Sequence, residues 1–205
     1  MDEDLLIQSA QSGDLDAFNA LILRYQNLLF SISLRILGDE DTAADALQEA
    51  LISAFRKLNT FRGGSLRSWL ARIVVNACYD ELRRKRRQST VPFEQLDADG
   101  EEIEPDYWLI DPSADLEAQY QAIELESAIQ KCLSSLPVDY RAVFVLVDVE
   151  CMTYEEAAAV VRVPIGTVKS RLARARMQMR QALQSFGDLL PIAYRVSAPL
   201  SMNAS

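Results

Sequence analysis

The stretch TYEEAAAVVRVPIGTVKSRLARARMQMR, residues 153–180, decides how this chain folds. Thr153, with Glu156 three residues on, forms a capping box, which predicts a helix start. Pro164 and Gly166 predict a short turn, and a long helix then runs to about Leu183. At about 100° per residue from Val168, the residues Val168, Leu172, Ala175, Met179, Ala182 and Leu183 share one sector, which faces a core. Ser170, Arg171 and Arg174 fall on one polar flank; Lys169, Arg176 and Arg180 fall on the other. No acidic residue occurs between Arg162 and Phe186.

A short capped helix, a tight turn and a basic helix make the layout of a helix-turn-helix. DNA requires this arrangement: an apolar face for docking, a few side chains for base edges and flanking cations for phosphates. The amides near Gly166 and Thr167 would favour a phosphate. The pattern alone also suits a surface helix in any helical bundle.

The charge distribution sharpens the choice. The 205 residues carry 21 Lys+Arg and 30 Asp+Glu, a net charge of −9, which by itself argues against a nucleic-acid partner. The charges are segregated, however. Residues 61–92 hold 8 basic and 2 acidic side chains, and residues 161–184 hold 6 and 0. Residues 93–118 between them hold 10 acids and no base. Screening confines each charge to a reach of about 8–10 Å, so the local field decides whether a phosphate backbone is attracted.

The rest of the chain reads as helix. Asp14 can cap a helix with Phe18, Leu21, Ile22, Tyr25, Leu28, Leu29, Ile32 and Ile36 at three-four spacing, ended by Gly38. A second run carries Leu47, Ala50, Leu51, Ala54, Phe55 and Leu58 on one face. A loop at residues 59–64 follows, and Ser65 can cap a third helix with Leu66, Trp69, Leu70, Ile73, Val74, Ala77 and Leu82 inward. Residues 93–118 lack apolar periodicity and read as a linker. A helix resumes near Leu116 with Ala122, Ile123, Ile129 and Leu133 inward, and Pro137 starts another. Its Val143–Val147 run has strand propensity but is assigned to helix, since a lone strand has nothing to pair with. The expected fold is all-α: two small helical domains, 1–92 and 119–184, joined by an acidic linker, 93–118, with a tail, 185–205.

Composition excludes several chemistries. There is no histidine, which removes Ser-His-Asp and Cys-His catalysis and any His-ligated metal. Cys78, Cys132 and Cys151 are isolated and read as small hydrophobes in a reducing compartment. No apolar run approaches the roughly 20 residues of a bilayer span, and the acidic N-terminus is the reverse of a signal peptide. A soluble cytoplasmic protein without cofactor, metal or catalytic residue is expected.

Residues 164–176 resemble the promoter −35-reading helix of extracytoplasmic-function (ECF) sigma factors of RNA polymerase, and Tyr154-Glu155-Glu156-Ala157-Ala158 resembles the helix before it. Asp45-Ala46-Leu47-Gln48-Glu49-Ala50 is similar to the segment that grips the polymerase clamp helices. Residues 61–76 are similar to the −10-recognition and strand-opening segment, and Asp16-Ala17-Phe18 with Arg24-Tyr25 fits the family's first helices. Three departures stand out: Arg162 where the turn usually offers Gly, Ala173 where some members present a bulky contact, and a tail beyond Leu183 that is longer than the family's minimal pattern.

The resemblance implies sigma domain 2 at 1–92 and sigma domain 4 at 119–184. It implies a core-polymerase contact through Asp45, Leu47, Gln48 and Glu49; on chemistry alone these form a solvated acidic face. At the −10 element it implies Phe61, Arg62, Gly63, Gly64, Ser65, Trp69, Arg72, Asn76, Asp80, Arg83 and Arg84. The Gly-Gly loop would pocket a flipped base, and Asn suits adenine; Phe61 and Trp69 suit a core equally. At the −35 element it implies Lys169, Ser170 and Arg174 on base edges and Thr167, Arg171 and Arg176 on phosphates, with Ala173 a soft contact. The linker would lie along the RNA exit path or serve as a plain spacer. An anti-sigma partner is implied as well, and no membrane insertion. The rival readings are a stand-alone helix-turn-helix regulator, which leaves residues 1–92 unexplained, and a metal-dependent enzyme on nucleic acid, whose carboxylates would have to come from the unpatterned linker.

Overall fold

A computed structural model describes residues 2–88 and 116–186. The linker, apart from its last residues, and nearly all of the tail lie outside them. Among the described residues eight α-helices follow in order: α1 (Glu3–Gln11), α2 (Leu15–Leu37), α3 (Glu40–Lys57), α4 (Leu66–Gln88), α5 (Leu116–Ser135), α6 (Val138–Phe144), α7 (Tyr154–Val161) and α8 (Ile165–Gln184). A 3-10 turn, Leu58–Thr60, follows α3, and a π-helical turn, Val145–Val149, continues α6.

The expected helix ends are present. The Asp14 carboxylate accepts from the Asp16 and Ala17 amides at 2.9 and 3.1 Å. Gly38 closes α2 in the left-handed region at φ 82°. Asp39 accepts from the Thr42 amide at 2.9 Å, and Ser65 Oγ accepts from the Ser68 amide at 3.1 Å. Both halves of the capping box form, at 3.1 and 2.9 Å. The Val143–Val147 run is helical: Val143, Val145 and Leu146 are fully buried, and burial overrides strand propensity. Ala122 lies on the buried sector of α5 but is exposed, a correction to its expected inward position; Ala128, Cys132 and Leu133 are the buried residues there.

Helix α2 is the central element. It packs against α1, α3 and α4 on one side and against α5, α6 and the π turn on the other. It is also long and apolar enough to cross a membrane by length and composition, contrary to the sequence expectation. Its Leu21, Leu29, Ile32 and Ile36 are buried in the protein's own core.

The N-terminal helices and the C-terminal helices thus share one continuous core. Polar contacts lock the junction. The buried Arg141 donates from Nη1 to the Ile36 carbonyl at 2.5 Å, and from Nη2 to the Ser134 and Leu136 carbonyls at 2.6 and 3.1 Å. Ser31 donates to Glu150 at 2.5 Å, Arg67 donates to the Glu150 carbonyl at 2.5 Å, and Arg35 pairs with Glu126 at 2.8 Å. Helix α4 also packs on α7. It carries the expected buried stripe of Leu66, Leu70 and Val74, and a second one of Ala71, Val75 and Cys78.

Candidate nucleic-acid interface

Helix α8 buries Val168, Leu172, Ala175 and Met179, the sector read from the sequence. Ser170, Ala173 and Met177 project on the opposite side and are exposed. The outermost line of the helix is therefore uncharged, and its cations sit on the two flanks.

Each flank is tied to a neighbouring element. On one flank, Arg171 Nη2 donates to Asp139 Oδ2 at 2.9 Å, and Arg174 Nη1 donates to the Tyr140 hydroxyl at 3.1 Å. On the other, Arg176 grips Asp148 with two parallel bonds, Nε at 2.8 Å and Nη2 at 2.6 Å. Hydrogen bonding to Asp148 raises the Arg176 pKa further. Lys169 Nζ stands 5.6 Å from the centroid of the Tyr154 ring, within cation–π range. Thr167 is half-buried, and its carbonyl accepts from Ser170 Oγ at 3.0 Å. Sequence reasoning missed Asp139, Tyr140, Asp148 and Tyr154 as partners of this helix. Pairing across elements leaves no periodic signal.

The second surface lies on α4 and the loop before it. Arg62, Gly63, Gly64 and Ser65 are exposed. Gly63 and Gly64 sit at φ +103° and +91°, where a side chain would strain the backbone, and open space surrounds both Cα atoms. Arg72, Asn76, Asp80 and Arg83 fall within one sector of α4, opposite the arc formed by its two buried stripes. Asn76, Asp80 and Arg83 are exposed and Arg72 is half-buried. Arg83 pairs with Asp80, and Arg84 pairs with Glu81 at 2.7 Å.

For Phe61 and Trp69 the sequence left core and −10 contact open, with Trp69 also among the inward residues of its helix. Both are buried, at 8% and 9% exposure. Their rings meet edge-on with centroids 5.7 Å apart. Gln11 Nε2 donates to the Phe61 carbonyl at 3.1 Å. The pair does not present a stacking face to solvent. On α3, Asp45, Gln48 and Glu49 are exposed and Leu47 is half-buried against the core.

Comparison with known proteins agrees with this architecture. Sigma-70 region 2 matches residues 21–88, and Sigma-70 region 4 matches residues 126–179. The RNA polymerase sigma-H factor of Pseudomonas aeruginosa is 36% identical over 184 residues, spanning 87% of this chain and 92% of that protein. The ECF RNA polymerase sigma-E factor of Escherichia coli K12 is 34% identical over 183 residues, spanning 89% and 94%. Among solved structures, the sigma factor RpoE in complex with the anti-sigma factor NepR from Bartonella quintana superposes with a TM-score of 0.62 at 28% identity, covering 82% of this chain and 98% of that one. CnrH in complex with the cytosolic domain of CnrY gives 0.63 at 26%, covering 90% and 99%. The chain belongs to the ECF sigma factors of RNA polymerase. It is accordingly an initiation factor of transcription, with region 2 on α2–α4 and region 4 on α5–α8.

Proposed function

We propose that this sigma factor works as a two-site promoter reader that carries no chemistry of its own and acts in the cytoplasm on core RNA polymerase. Domain 2, residues 1–92, docks on the polymerase through Asp45, Leu47, Gln48 and Glu49. It meets the −10 element with Arg62, Gly63, Gly64, Ser65, Arg72, Asn76, Asp80, Arg83 and Arg84, while Phe61 and Trp69 lie buried. Capture of an unstacked base in that loop supplies the free energy for strand opening. Domain 4, residues 119–184, meets the −35 element with Thr167, Lys169, Ser170, Arg171, Ala173, Arg174 and Arg176. The acidic segment 93–118 links the two, and an anti-sigma protein, as in the complexes of RpoE and CnrH, holds the factor inactive.

The observation that carries this reading is the exposed Gly63-Gly64 loop set directly before the Arg72–Asn76–Asp80–Arg83 line of α4. A stand-alone regulator has no use for it. Co-elution with core polymerase tests the docking face. The wild-type chain is expected to co-elute, and the charge-reversing pair Asp45→Arg with Glu49→Arg to elute free while keeping its helical circular dichroism. Co-elution undiminished by the pair would refute that face.

A further inference from the structure

The cations of the recognition helix are not deployed as its sequence suggests. Arg171 and Arg176, the two arginines assigned to phosphates, are the two held by carboxylates, Asp139 and Asp148. Arg174, assigned to a base edge, donates to the Tyr140 hydroxyl and pairs with no carboxylate among the described residues. Lys169 lies over a ring.

Stability does not account for both pairs. Arg171 and Asp139 are 23% and 49% exposed and joined by one hydrogen bond, and a surface ion pair of that kind contributes little to folding. Arg176 and Asp148 are 53% and 23% exposed and joined by two, so that pair supports the fold as well. Their effect on DNA binding is larger. Sequence-independent affinity grows with the number of phosphates neutralised, and each adds about 0.9 to the slope of log K against log salt. A guanidinium whose fork is filled by both Asp148 oxygens cannot also take a phosphate unless it leaves the carboxylate or draws that carboxylate towards the backbone charge.

We propose that Asp139 and Asp148 are positioning residues of the −35 helix: they hold Arg171 and Arg176 on its flanks and withdraw their charge from sequence-independent affinity, leaving Lys169, Ser170 and Arg174 to decide which base pairs are bound. This rests on the reading of α8 as the −35 helix and concerns how that helix balances affinity against specificity. Restraint of this kind suits a reader that shares its DNA grip with a second site and a polymerase.

The test is a salt titration of the full-length chain on a random-sequence duplex, followed by fluorescence anisotropy. Asp148→Asn is expected to tighten binding several-fold at low salt and to steepen the salt slope by about one unit. In an Arg176→Gln background the same substitution is expected to change neither. Asp139→Asn, alone and with Arg171→Gln, should repeat the pattern. A gain of equal size in the Arg176→Gln background would mean simple repulsion between Asp148 and DNA, and would overturn the proposal; so would weaker binding or an unchanged slope for Asp148→Asn. Reversing the charge of the helix with Lys169→Glu and Arg174→Glu separates the two levels, because any helix lying against DNA must lose sequence-independent affinity when its cations become anions. If it weakens duplex binding while Asp148→Asn does nothing, only the positioning role falls. If it has no effect, the reading of α8 falls with it.

Discussion

Arg162 ends α7 in the left-handed region, at φ 54° and ψ 49°, and its amide still closes the helix on the Ala158 carbonyl. The departure from glycine therefore leaves the turn geometry in place and loads it with strain, about 1–2 kcal/mol for a residue with a Cβ. Glycine would relieve that strain but gain entropy in the unfolded chain, roughly 0.4–1 kcal/mol. Arg162→Gly is thus expected to stabilise the protein by about 0.5–1 kcal/mol and raise Tm by about 2–3 °C, measured by thermal circular dichroism. That position was legible only through the family resemblance, because the capping box marks where α7 begins and leaves its end open. Burial of Trp69 was legible in the inward face of α4, whereas burial of Phe61 was not. An aromatic beside a Gly-Gly loop suits a stacking platform and a core equally, and only the edge-on contact of the two rings decides between them.

Among the elements, α3 shows how a cap couples to pH. Hydrogen bonds from the Thr42 hydroxyl, then from the Thr42 amide, hold the Asp39 carboxyl below its ordinary pKa of 3.8. The folded value is the lower one, so this contribution is complete above pH 3.8 and is lost as pH falls through the folded pKa. Asp39→Ala is expected to cost about 1 kcal/mol at neutral pH, and the gap to wild type should close as pH drops below 3.8. Urea melts across that range check both the size and the direction. Helix α8 was legible in its buried sector because its apolar period is unbroken. Its tethering to Asp139, Tyr140 and Asp148 was not, because those residues belong to α6 and the π turn and meet α8 only after the chain has turned back.

Across the whole molecule, the sequence divides into two halves and the structure packs them on a common core. The second buried stripe of α4 and the far side of α2 explain the difference. Each stripe looks like a second apolar face without a partner until the C-terminal helices cover it. Arg141 is the buried charged element of that junction, since it satisfies carbonyls at the ends of α2 and α5. Arg141→Ala leaves those acceptors unpaired in a buried place and is expected to cost about 3 kcal/mol, seen as a lower urea midpoint shared by both halves. A packed body of this length is about 45 Å across. Promoter elements some 25 base pairs apart lie about 85 Å apart at 3.4 Å per step. The halves must therefore part when the polymerase seats both on DNA. Fluorophores on the exposed residues Gln8 and Gln181 are expected to move apart on holoenzyme formation with promoter DNA, and an unchanged distance would contradict the two-site reading.

Transcription of genomic DNA by core polymerase, with and without this protein, followed by mapping of the RNA 5′ ends, tests the central claim most directly. Two-site reading predicts new start sites that depend on the protein, share one sequence near −10 and another near −35, and vanish when Asn76 and Lys169 are both replaced by alanine. Start sites identical in the presence and absence of the protein would contradict it.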